Sequence, residues 1–173
     1  MRRFFFAVIL VVACATVAAA DSYEDAVSAL LRGDNTLAVR LFRPLPEQGF
    51  TRAQFNLSLM YHEGKGISQD YQEALKWYRK AAEQGLPQAQ SNLGVMYYFG
   101  QGVPQDDVRA HKWYTVAAAT LSGDNVKTAI QYRGIVASQL TTAQIGKARE
   151  MARRCQKTKF KGCDLEARGT PLC

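Results

Sequence analysis

Two histidines, an adjacent aspartate pair and four cysteines are the residues of this 173-residue chain whose types and spacing could do chemistry. His62 and His111 have no cysteine or second histidine at metal-ligand spacing, so neither makes a zinc site. A glycine-rich phosphate loop, a paired-histidine zinc motif and a Ser-x-x-Lys nucleophile are all missing from the sequence. Both histidines are therefore expected on the surface or in a groove. Asp106-Asp107 resembles a carboxylate pair, but a helix cap followed by a first-turn acid accounts for it: the first side chain accepts an orphan backbone N–H and the second faces the positive end of the helix dipole. A secreted hydrolase, the alternative reading, would need a site assembled from Ser58, His62 or Tyr98 across a groove. No catalytic residue, cofactor or metal is assigned.

The cysteines say more. Cys14 lies in an apolar N-terminal run; Cys155, Cys163 and Cys173 lie near the C-terminus. Met1 to Ala20 carries two arginines, an apolar run from Phe4 to about Val17, and Ala18-Ala19-Ala20 before Asp21. That is the pattern of a secretory signal peptide, too short and wrongly flanked for a membrane span, with cleavage expected after Ala20. Cleavage at Cys14 with lipid anchoring is the alternative. Export, to a periplasm or beyond the cell, favours disulfides over metal ligation for the remaining cysteines. A Cys155–Cys163 bond would close a short loop against the last helix, with Cys173 free or available for a disulfide-linked dimer. Pairing of Cys173 with either of the others stays open.

Charge is uneven along the chain. Residues 21–144 hold 12 acids and 12 bases, whereas 145–173 hold eight bases and three acids. The high pI is thus a property of a basic tail, with Arg153, Arg154, Lys157, Lys159 and Lys161 at its start. Such a run is either solvated or meets an anionic surface. Nucleic acid is not an expected partner of an exported protein.

The elements that position these residues come from a stretch written twice. Residues 53–82 and 89–118 share 16 of 30 positions at an offset of 36, a period that signals stacked supersecondary units. Each copy holds two helical patterns. In the second, Ala89, Leu93, Met96, Tyr97 and Gly100 fall on one helical face, and Gly100 suits a left-handed helix end. Asp70 and Asp106 stand where the following helix needs an N-cap, and Asp70 with Glu73 has capping-box spacing. Ala74, Trp77, Tyr78, Ala81 and Ala82, matched by Ala110, Trp113, Tyr114, Ala117 and Ala118, place small residues beside aromatic core residues.

Degenerate units flank the two copies. Ser22 to Leu31 is an amphipathic helix ending near Gly33, and Asp34 to Gly49 aligns with Asp70 to Gly85 at the same offset. Pro44 and Pro46 should stop that second helix near Arg43. Beyond a break at Ser122-Gly123-Asp124, helices are expected over Asn125 to Ala137 and, capped by Thr141 or Thr142, to about Cys155. The expected fold is all-α: an α-solenoid of about four antiparallel helix pairs, with a leader (1–20), a helical repeat domain (21–155, full repeats about 51–86 and 87–122) and a cysteine-containing basic tail (156–173).

The pattern of Leu93, Gly94, Tyr97, Gly100, Gly102, Val103, Asp106, Ala110, Trp113, Tyr114, Ala117 and Ala118 resembles the Sel1-like repeat, a relative of the tetratricopeptide repeat. Ser58 and Ile67 are mild departures in the first copy. The resemblance implies an α-solenoid that binds other proteins without catalysis. A cysteine-rich branch of the family, to which β-lactam hydrolysis is attributed, carries cysteines inside each hairpin; this chain has none there. In tetratricopeptide-like stacks the first helix of each hairpin lines the concave face. That points to Arg52, Phe55, Asn56, Leu59 and His62 in the first repeat. In the second it points to Gln88, Ser91, Asn92, Val95 and Tyr98, with Phe99 at the edge and Lys127 and Gln131 continuing the row. The asparagines would hold the backbone of a peptide or protein partner, Arg52 a carboxylate, and the aromatics would anchor it; alternatively, both asparagines bond neighbouring helices.

Overall fold

The computed structural model describes residues 22–45, 49–120 and 124–164. The leader with Cys14, the break at Ser122-Gly123, and Cys173 with its pairing lie outside the described residues. Eight helices and no strand occur among those described. They are α1 (22–31), α2 (Asn35–Phe42), α3 (Thr51–Glu63), α4 (Tyr71–Glu83), α5 (Pro87–Phe99), α6 (Asp107–Ala118), α7 (Asp124–Ala137) and α8 (Thr142–Lys157). The chain divides into two compact units, one ending at Gln69 and the other starting at Asp70.

In the first unit, Ala26 and Ala29 of α1 let its backbone approach Ala38, Val39 and Phe42 of α2, and Ala53 and Met60 of α3 complete the buried cluster. Tyr23 meets Phe42 edge-on, with ring centroids 5.8 Å apart. The turn after α1 closes with Asp34 N–H donating to Ala29 C=O at 3.0 Å, and Asp34 then caps α2 through Leu37 N–H at 3.0 Å. α2 stops at Phe42, one residue short of the Arg43-Pro44 step, because proline cannot donate to the helix ladder.

In the second unit α6 is the centre. Helices α5, α7 and α8 all pack against it, and it buries Ala110, His111, Lys112, Trp113, Tyr114, Val116 and Ala117. Trp77 and Tyr78 are buried likewise on α4. Gly94 of α5 is required by this packing: a Cβ there would come 2.8 Å from the Tyr114 ring.

The turns follow the repeat as closely as the helices do. Gly64 and Gly100 end α3 and α5 at φ of 70° and 67°. Gly66 and Gly102, both at positive φ, lie against the first residue of the second helix one repeat back, Asn35 and Tyr71 respectively. A side chain at either glycine would run into that residue's carbonyl. Asp70 caps α4 by accepting from Gln72 and Glu73 N–H at 2.9 and 3.1 Å, and Asp106 caps α6 through Arg109 N–H at 2.9 Å. The capping box expected at Asp70 and Glu73 is only half made. The Glu73 carboxylate turns to Lys76 at 3.0 Å instead, a one-turn pair that the helix surface offers at no backbone cost. A full capping box forms at α8, where Thr141 and Gln144 exchange bonds of 3.3 and 2.8 Å.

Candidate partner-binding surface

α5 presents two contrasting sides. Leu93, Met96 and Tyr97 are fully buried. Ser91, Asn92, Val95 and Tyr98 are half-buried, and Gln88 and Phe99 are exposed. Phe99 keeps 60% of its surface open, and it packs edge-on against Tyr98 with centroids 4.9 Å apart. Gln139, beyond α7, donates to the Tyr98 hydroxyl at 3.0 Å, so the phenol is held in place from the side. Lys127 and Gln131 are exposed on α7. So are Ile130 (46%) and Ile135 (40%), two apolar residues that the repeat pattern does not single out because no identities survive there.

On α3, in the other unit, Arg52 is exposed and Phe55, Asn56, Leu59 and His62 are half-buried. The Asn56 amide donates to the Tyr23 hydroxyl of α1 at 3.3 Å. For Asn56 the reading in which the asparagine bonds a neighbouring helix is the one present. Ser58, one of the residues the hydrolase alternative could draw on, is fully buried and donates its hydroxyl to Phe55 C=O at 2.6 Å. No substrate can reach it in this arrangement.

His111 corrects an expectation. It is not on the surface or in a groove but buried within α6, because α6 is covered by helices on several sides and has no solvent face at that point. Burial first, then the charges of Arg133 and Arg149, push its pKa below the usual histidine value, so it is neutral at pH 7.

A second site was invisible to sequence reasoning. The chain expected as a basic tail folds through Asp164: α8 runs to Lys157, and Cys155 is disulfide-bonded to Cys163 with Cα atoms 5.0 Å apart. Lys159 and Phe160 make the turn between them in the left-handed region, at φ of 52° and 69°. Phe160 lies over the α4–α5 turn, where a Cβ on Gly85 would be 3.2 Å from its ring. This seats Asp164 among four donors from three helices. Oδ2 accepts from Arg79 Nε of α4 and, at 3.0 Å, from the Tyr97 hydroxyl of α5. Oδ1 accepts from Trp113 Nε1 at 3.0 Å and Lys112 Nζ at 3.3 Å, both of α6. Lys112, with no exposed side-chain surface, also donates to Cys163 C=O at 2.8 Å. Burial would raise the Asp164 pKa, but Lys112 and then Arg79 outweigh it and hold the carboxyl below its usual range. Burial, reinforced by Asp164, pushes the Tyr97 phenol up.

Helical hairpins with glycine-closed turns repeating every 36 residues define a repeat-built α-solenoid. Residues 51–86 and 87–119 match the Sel1 repeat, and the chain is a Sel1-like repeat protein. It is similar to the crystal structure of a protective antigen of uropathogenic Escherichia coli strains displaying an SLR fold, with 29% identity and a TM-score of 0.74. That match covers 90% of this chain but 34% of the other, so the chain spans about a third of that protein's length. A Sel1 repeat protein from Oxalobacter formigenes is 36% identical over 50% of this chain and 66% of its own, with a TM-score of 0.48. A search of curated proteins gives no match. Sel1 repeats generally mediate protein–protein interaction, and the fold is typically a non-enzymatic scaffold.

Proposed function

We propose that this protein is a non-enzymatic binding module of the cell envelope or secreted space, exported with its leader cleaved after Ala20. It takes a peptide segment or a partner protein on the concave-face residues of its repeats. The observation that carries the reading is on α5. An exposed Phe99 and a propped Tyr98 share with the half-buried Asn92 a helix whose other side is fully buried. Aromatic anchors and, further along the same helix, an amide that donates and accepts suit an extended polypeptide. The Cys155–Cys163 disulfide supports an oxidising compartment.

A second reading draws on the exposure of Arg153, Arg154, Lys157, Lys159 and Lys161, which suits an anionic surface. Envelope crosslinking followed by capture separates the two. Asn92→Ala with Tyr98→Ala should abolish capture at unchanged helicity. Capture that survives this change but is lost on Arg153→Glu with Lys157→Glu assigns binding to the basic face.

A further inference from the structure

We propose that Arg79, Tyr97, Lys112 and Trp113 form a carboxylate-recognition site of the second repeat. Here it is filled by the chain's own Asp164, and reduction of the Cys155–Cys163 disulfide opens it to an acidic side chain of another polypeptide. The site does not share residues with the α5 binding surface and stands or falls apart from it.

The donor geometry is that of a receptor. Each Asp164 oxygen has two donors, and these come from α4, α5 and α6. Two are cationic and two are neutral aromatics, a set that fits one planar carboxylate and leaves Lys112 buried. A buried ammonium is stabilised by an anion beside it, and the Asp164 carboxylate supplies that anion here at 3.3 Å. The donor set also belongs to the repeat rather than to the segment that fills it. Thirty-six residues earlier the sequence carries the same four types, Arg43, Tyr61, Lys76 and Trp77.

The occupant is held by chain constraint as well as by these donors. Between the disulfide partners the chain adopts a left-handed conformation at Lys159 and at Phe160, which is unfavourable for side-chain-bearing residues. The conformation persists because the bond behind it and the carboxylate seat ahead of it fix both ends. Opening the bond removes one of the two. A thiolate of an external dithiol attacks one sulfur and forms a mixed disulfide, and the dithiol's second thiol resolves it. The dithiol leaves oxidised, and Cys155 and Cys163 each gain one electron and one proton. The turn is then free to relax to negative φ, carrying Asp164 out of the seat.

The test uses the full chain, oxidised or treated with dithiothreitol. The probe is a labelled synthetic peptide of residues 158–168 with Cys163→Ser, and its Asp164→Asn counterpart. Reduction should raise amide exchange at 158–164 at least tenfold while helicity is kept. The reduced protein should bind the aspartate peptide at least tenfold more tightly than the asparagine peptide, and the oxidised protein neither. A Cys155→Ser, Cys163→Ser chain should behave as the reduced form. Unchanged exchange on reduction, equal binding of both peptides, or global loss of helicity would each overturn the proposal, the last by making the bond purely structural.

Discussion

Lys112 and Asp164, 52 residues apart, form an ion pair in which the lysine side chain has no exposed surface and the aspartate keeps 10%. The lysine charge is shut off from water and the aspartate charge nearly so, so each depends on the other and on the surrounding donors. Removing one member of such a pair typically costs about 3–5 kcal/mol, because the remaining charge is left buried and unpaired. Asp164→Asn, nearly the same in shape, should therefore lose stability on that scale in urea unfolding. Lys112→Met in the same chain should recover part of the loss. A double-mutant cycle measures the coupling. Additive effects would show that the pair is not the source of the stability.

Acid should lower the protein's stability over two successive pH ranges. The folded-state pKa of His111 lies below the unfolded value of about 6.5. Its contribution is complete above that value and declines as pH falls through the folded pKa, since the unfolded chain takes up a proton the fold refuses. Asp164 is also depressed, so its contribution is complete above about 3.9, the unfolded value, and is lost as pH falls further. Unfolding free energy measured from pH 8 to pH 2 should show both declines. His111→Gln should remove the first and leave the second.

Gly94→Ala should destabilise by about 1–3 kcal/mol, the usual scale for overpacking. The added methyl meets the Tyr114 ring at 2.8 Å, and that ring is buried and stacked on Tyr132 at 5.7 Å. The shift should appear as a lower midpoint at unchanged slope in urea titration. Gly94→Ala combined with Tyr114→Leu should recover some of it by giving the methyl room.

The repeat made most of the fold legible. Leu93, Met96 and Tyr97 on one side of α5, and the caps at Asp70, Asp106 and Thr141, follow from local spacing alone. His111 was misplaced because helical periodicity assumes a single buried face, whereas α6 is packed by α5, α7 and α8 together. The donors of the Asp164 seat recur at the 36-residue offset, but nothing in periodicity pairs them with Asp164. Its partners lie 85, 67, 52 and 51 residues away, and a carboxylate in a basic C-terminal stretch looks solvated. A further clue was Lys112 itself, a cation between His111 and Trp113 on a helix with little polar surface.

The central claim, that the α5 face holds a polypeptide partner, is tested most directly by site-specific photocrosslinking in the native envelope. A photoreactive residue is placed in turn at Asn92, at Phe99, at the exposed Lys76 of α4 and at the exposed Arg153 of α8. Adducts are identified by mass spectrometry. The account predicts the same polypeptide adduct from Asn92 and Phe99, none from Lys76 or Arg153, and loss of the Phe99 adduct when Tyr98→Ala is added. Adducts from Arg153 alone, or none from either α5 position, would contradict it.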